Sequence, residues 1–328
     1  MVEDRYLLVG GNGFIGTNII HKLLEKERKV YCIDVYDSNT KKIDNKCFKS
    51  YINDLTDTKL VKELINKSDI IIYLASNSNV RSSSSESIIE LGNVENFINL
   101  LEIIKDYPNK KVILASSGGT VYGEPETIPV NEEHCLMPIS PYGIGKITME
   151  NFLKYYSSKY GVKYVICRYS NPYGKYQSPF SGVGVINKIL YDYNIGNETP
   201  IIGNPDGSIR DYIYISDLVD ATIAVAESKN ADNQVFNVGS GIGYSLTDVI
   251  NQIETVLNDN IKIRNQNFGI ENVSKIVLDI SKIKKIVGWT PKITLSNGIK
   301  LNNDWVKCTL EFEEEKVEIS KKKGSLIS

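Results

Sequence analysis

In the stretch SPYGIGK, residues 140–146, a tyrosine and a lysine stand four positions apart. A phenol stripped of its proton is a base, but a free one titrates near pKa ~10, too high for work at neutral pH. A neighbouring ammonium, together with a second positive charge such as a cationic ring, favours the phenolate and draws that value down. Ser140 is a good helix cap and Pro141 a good first helical residue, so a helix opens here. Four-residue spacing then sets Tyr142 and Lys146 on one face of it. The pair alone says little, because the chain holds 20 tyrosines and 38 lysines plus arginines. There are only two histidines: His21 lies inside a helical pattern, and His134 stands beside Cys135 with no second pair of metal ligands in view. Acid–base chemistry must therefore rest on other groups, and no metal site is expected.

The stretch VGGNGFIG, residues 9–16, supplies the second piece of chemistry. It follows an apolar run and opens a helical one. Gly10, Gly13 and Gly16 let the chain turn tightly, let backbone approach a pyrophosphate, and let helix pack on strand. The helix start adds unpaired N–H groups and a positive dipole end for the phosphates, so Phe14 and Ile15 of its first turn join the candidate cofactor contacts. Asp34 closes the second strand, where a carboxylate accepts from ribose hydroxyls and repels a 2′-phosphate. No arginine follows it closely, which favours NAD over NADP. Asp54 and Leu55, after the third strand, suit the adenine edge.

The elements that hold these residues come from periodicity. RYLLVG (5–10), KVYCID (29–34), DIIIYLAS (69–76), KKVILASS (110–117) and KYVICRYS (163–170) read as buried strands, with helical stretches between most of them, notably 86–106 and 141–160. Near-continuous apolar strands alternating with helices predict a parallel sheet covered on both faces, an α/β doubly wound domain. We expect it over 1–171, with 215–240 returning to its sheet, a smaller mixed lobe over 172–214 and 241–308, and a charged tail over 309–328. The 328 residues are 41% apolar and 24% charged, with a formal net charge of −2. That balance gives no footprint for nucleic acid or anionic membrane. No apolar run spans a bilayer, the first residues are too charged for a signal peptide, and five cysteines without paired spacing point to a reduced, cytoplasmic setting.

With these motifs in place, the chain resembles the extended short-chain dehydrogenase/reductases that act on nucleotide sugars, most nearly the UDP-glucose and related UDP-hexose 4-epimerases. The resemblance runs over about residues 5–306 and rests on GGNGFIG (10–16), NDL (53–55), YLAS (73–76), SSGGTVYG (116–123), SPYGIGK (140–146), RYSNPYG (168–174), RDYIYISD (210–217), NVGSG (237–241) and LDISKIKKIVGWTP (278–291). It implies a Rossmann-type sheet with a smaller mixed α/β substrate-binding lobe, NAD as cofactor and a UDP-sugar as substrate. It implies Tyr142 as base, Lys146 as its partner and ribose ligand, Ala75 at the cofactor, and Asn93 as a structural asparagine behind the lysine. Ser117 and Gly118 would face the sugar, Asn171 would hydrogen-bond the sugar or its diphosphate, and Arg210 would clamp the diphosphate. A C2 homodimer through helices 86–106 and 141–160 is implied as well.

Two positions depart from the family pattern. Its third catalytic group is a hydroxyl four residues before the tyrosine of VYG, and here that position is Gly118. Either Ser117 turns in, Thr120 substitutes, or Tyr142 works with one hydrogen bond fewer; Ser117 is the favoured candidate. The family often carries a diphosphate arginine where this chain has Gly269, which leaves Arg264 as a candidate replacement. Dehydratases of the family carry an Asp-Glu pair, and decarboxylases a Glu, where this chain has Gly119 and Thr120. Oxidation at sugar C4 then has little to do except reverse, which is 4-epimerisation. The alternatives are a nucleotide-sugar oxidoreductase or dehydratase, and a non-catalytic NAD-binding regulator.

Overall fold

The structure is a computed structural model that describes residues 4–37, 39–202, 204–266 and 273–324. In chain order its elements are β1 (Arg5–Val9), α1 (Phe14–Glu25), β2 (Lys29–Asp34), β3 (Phe48–Ile52), α2 (Thr58–Lys67), β4 (Ile70–Tyr73), α3 (Val80–Ser85), α4 (Ile89–Ile104), β5 (Lys111–Ser117), α5 (Pro141–Tyr160), β6 (Lys163–Tyr169) and β7 (Asn171–Tyr173). After them come α6 (Val185–Asn194), β8 (Thr199–Ile202), β9 (Ile209–Tyr214), α7 (Ile215–Glu227), β10 (Gln234–Val238), β11 (Gly243–Ser245), α8 (Leu246–Leu257), β12 (Ile263–Gln266), β13 (Lys275–Ile276), α9 (Ser281–Val287) and α10 (Leu295–Gly324).

Seven strands form one parallel sheet in the order β10-β6-β5-β4-β1-β2-β3. Alternation along each strand sends side chains to opposite faces. Tyr6 and Leu8 join one apolar layer, while Leu7 and Val9 join the other, and helices cover both. This is the doubly wound α/β fold that the strand–helix alternation predicts. The chain order reverses between β1 and β4, and in such sheets ligands bind at the carboxyl ends of the strands beside that reversal. The loops after β1 and β4 do meet there. Gly10 has φ +78°, and a Cβ on it would lie 2.6 Å from the Ala75 backbone.

The smaller lobe is mixed, with β11 antiparallel and β7 and β13 parallel to β9, and with β12 beside β8 in a separate pair. Asp211 binds three motifs of this region together. Its buried carboxylate accepts from the Ser240 and Gly241 N–H groups, the Ser240 hydroxyl and the Leu278 N–H.

One predicted helix starts late. The stretch 86–106 gives α4 only from Ile89, and a separate short helix, α3, precedes it. Asn79 and Ser82 form the capping box that starts α3. In contrast α5 spans the predicted 141–160. Ser140 Oγ accepts from Gly143 N at 3.2 Å, and Gly161 closes the helix at φ +76°. The charged tail continues α10 as far as Gly324.

Candidate active site

The glycine loop divides its labour as the sequence predicts. Gly10 gives the turn. Gly16 allows close packing, since a Cβ there would stand 2.5 Å from the Gly11 backbone. Gly13 caps α1 without a side-chain bond, and a Cβ on it would meet only the Gly10 carbonyl at 3.7 Å. The N-terminus of α1 is thus open to a ligand. Beside it lies a cleft of about 260 Å³, walled by Gly10, Gly13, Asp34, Asp54, Leu55, Ala75 and Asn93 among others. No lysine or arginine stands among its lining residues. The Asp34 carboxylate accepts from Asn12 N at 2.9 Å and Tyr36 N at 3.3 Å, so it is fixed at the rim. Phe14 and Ile15 open α1. Their side chains pack on the core layer, so only their backbone can face the cleft. Asn12, Tyr36 and Asn77 in loops and Asn96 on α4 also line it; single polar residues carry no period that would have picked them out.

At the other end, α5 and β5 bring the reacting candidates together. Lys146 Nζ lies 5.3 Å from the centre of the Tyr142 ring and donates to the Ala115 carbonyl at 3.0 Å. The lysine is 4% exposed, and burial draws its pKa down to about 8, against the opposing pull of Glu90 and Glu150. The tyrosine is half-buried beside it. Burial pushes its phenol above the ordinary range, and the Glu90 carboxylate pushes it further. A lysine that loses its proton near 8 carries no charge by the pH at which the phenol titrates. The protein alone therefore keeps Tyr142 protonated.

Gly118 has a physical reason to be glycine. Its N–H donates to the Tyr169 carbonyl at 2.7 Å, and a Cβ would meet a Leu278 methyl at 2.6 Å. Of the two replacement hydroxyls, Thr120 Oγ1 reaches back to the Ser117 carbonyl at 3.4 Å. Ser117 is half-buried at the end of β5, and its hydroxyl has no bond within the described residues. Asn93 holds the turn after β4: its Oδ1 accepts from Asn77 N at 2.9 Å, and its Nδ2 donates to Ser78 Oγ and Glu90.

Asn171 donates to the Asp211 carbonyl at 3.1 Å, and its Oδ1 stands 3.8 Å from where a Gly119 Cβ would be. Arg210 spends Nη1 on the Ile209 and Ser274 carbonyls, with no carboxylate paired to it among the described residues. Burial lowers its pKa, so an anion placed there would be welcome. Arg264 does not join it: it is exposed on β12 with Glu198 at 3.9 Å. Gly269 lies outside the described residues. Beneath the site, Arg168 binds Glu150 through two bonds of 3.1 and 2.7 Å, both side chains buried, and Ser116 donates to the same carboxylate at 2.5 Å.

The profile of the GDP-mannose 4,6 dehydratase family matches residues 7–301. The chain belongs to that family, the extended short-chain NAD-dependent epimerases and dehydratases of nucleotide sugars. A protein of Methanocaldococcus jannaschii, provisionally named a UDP-glucose 4-epimerase, is 36% identical over 92% of this chain and 98% of its own. An Escherichia coli dTDP-4-dehydro-6-deoxyglucose reductase is 33% identical over 93% and 98%. The UDP-glucose 4-epimerase of Thermotoga maritima, solved with UDP-glucose, superposes with a TM-score of 0.87 at 30% identity, covering 93% of this chain and 99% of that one. The Thermus thermophilus UDP-glucose 4-epimerase, solved with NAD, gives 0.85 at 28% over 92% and 99%. The family is an enzyme family, and its members differ in the reaction that follows.

Proposed function

We propose that the protein is an NAD-dependent 4-epimerase of a UDP-hexose, working through a transient 4-keto sugar. The observation that carries this is the run Ser117-Gly118-Gly119-Thr120 beside Tyr142. Its backbone packs on the first turn of α5, where a Gly143 Cβ would stand 2.9 Å from the Thr120 carbonyl, and it holds no acid. Water elimination and decarboxylation both ask for one. A sugar oxidised here has one simple exit, reduction from its other face.

NAD would lie with its phosphates at the open start of α1 and its adenosine ribose at Asp34, in a cleft whose lining offers no cation to a 2′-phosphate. When bound, it supplies a site that takes a hydride from the sugar and returns it. Tyr142 would take the 4-hydroxyl proton, with Ser117 as the second hydrogen-bond partner of that oxygen. Lys146 would hold the ribose and, with a cationic ring alongside, offset the burial that keeps the phenol protonated. Arg210 would grip the diphosphate through the donors it has left, and Asn171 would fix one edge of the sugar. The UDP half is held and the sugar half is free to turn.

Assembly is part of this reading. Leu91 on α4 is 65% exposed and Ile144 on α5 54%, with Ile88 exposed just before α4 and Tyr155 exposed further along α5. Apolar side chains clustered on two neighbouring helices suit a self-complementary contact, and we assign them to a C2 homodimer. The function is tested by incubating purified protein with a panel of UDP-hexoses and resolving the C4 epimers. Interconversion of one pair, with no added NAD consumed, is expected. Net oxidation or reduction of the sugar would move the protein to the reductases of its family.

A further inference from the structure

Glu90 stands in the first turn of α4 and is 6% exposed. Both donors that reach it are neutral: the Ser78 hydroxyl on one oxygen, and Asn93 Nδ2 at 3.2 Å on the other. A buried carboxylate is costly unless charge or hydrogen bonds compensate it. Its place explains why it is kept. The carboxylate lies against α5 at Gly145, where a Cβ would stand 2.6 Å from its Oε2. Gly145 immediately precedes Lys146 and is three residues past Tyr142, so the missing side chain is what lets this charge approach the pair. The groups that face the pair can be named element by element. Glu90 comes from α4 and Glu150 from α5 itself, and β5 gives the Ala115 carbonyl. The charged residue of α3, Arg81, lies toward Gly182 instead.

We propose that Glu90 is a positioning residue of the Tyr142–Lys146 pair: its buried carboxylate, seated against Gly145, keeps Lys146 cationic and withholds ionisation of Tyr142 until a cationic ligand stands beside it. Its field acts on both members with opposite consequences, keeping the proton on each. The phenol is thereby a poor base in the empty protein. It becomes a good one only when a positive ring arrives, which ties proton removal to the charge state of the cofactor. This deepens the reading of Tyr142 and Lys146 as the reacting pair.

The test is a spectroscopic titration that needs no turnover. The tyrosinate absorption of the NAD-loaded protein is followed with pH and subtracted from that of its Tyr142→Phe counterpart, which isolates one phenol. The same subtraction is made in Glu90→Gln and Glu90→Asp backgrounds. Glu90→Gln keeps size and hydrogen bonding, and should lower the midpoint by about one pH unit; Glu90→Asp keeps the charge and should leave it in place. The acid limb of a turnover–pH profile should follow the same shift. A Glu90→Gln curve that coincides with the parent overturns the proposal, as does an equal shift in both variants, which would make the effect one of packing. A protein that epimerises no sugar still answers the titration, so the two readings fail separately.

Discussion

Replacing Lys146 by methionine should make the NAD-free protein more stable, and the gain should vanish in alkali. The lysine is 4% exposed and has the Ala115 carbonyl as its hydrogen-bond acceptor. Burial takes its pKa from the ordinary 10.5 to about 8. Below the lower value it is protonated in folded and unfolded chain alike, and the fold carries the whole cost of the buried charge. Between the two values the folded chain sheds its proton first, so stability recovers as pH rises. Above the upper value both states are neutral and the cost is gone. At about 1.4 kcal/mol per pH unit the full cost is about 3 kcal/mol. The lost bond to Ala115 gives back about 1 kcal/mol, leaving a gain of about 2 kcal/mol for Lys146→Met at neutral pH. Urea unfolding of both proteins at neutral pH and near the ordinary lysine pKa measures it. A variant less stable than wild type at neutral pH, or a difference that does not change with pH, refutes the reasoning.

Tyr142→Phe should keep its fold and bind NAD and UDP-sugar while turnover falls about 10²–10⁴-fold, the usual loss for a positioned base, as steady-state rates would read. Ser117→Ala should cost more turnover than Thr120→Val and shift the activity–pH profile alkaline, because the Thr120 hydroxyl is already directed at a carbonyl while that of Ser117 has no partner among the described residues. Leu91→Glu with Ile144→Glu should convert a dimer to a monomer in light scattering at micromolar concentration; a wild type already monomeric there counts against the assembly.

The sheet and the nucleotide loop were legible because both are written in short, local patterns. β1, β2, β4, β5 and β6 are apolar runs of the right length, whereas β3, FKSYI, is partly polar and partly exposed; the first helix is announced by glycines at fixed offsets. The helix α5 is framed by Ser140 and Pro141 at one end and Gly161 at the other, so its limits could be read to the residue. The short helix α3 before α4 could not, because Val80–Ser85 is mostly serine, with no apolar period, and is started by the Asn79–Ser82 capping box. Arg264 stood near the lost diphosphate arginine in sequence, but strand pairing with β8 carries it to Glu198. Spacing placed Tyr142 beside Lys146 correctly. The direction of the phenol's shift was not in the spacing, because burial depends on what α4 and β5 lay over it, and Glu90 is far from the pair in sequence.

The central claim, that one site removes and returns the same hydride at sugar C4, is tested most directly with an isotope. Protein is incubated with UDP-hexose carrying deuterium at C4, and both epimers are recovered and examined by mass spectrometry and NMR. The epimer should form with deuterium still at C4, because the hydride is held within the site between its removal and its return. Epimer formed with loss of the label to solvent, or no epimer from any UDP-hexose of the panel, would contradict it.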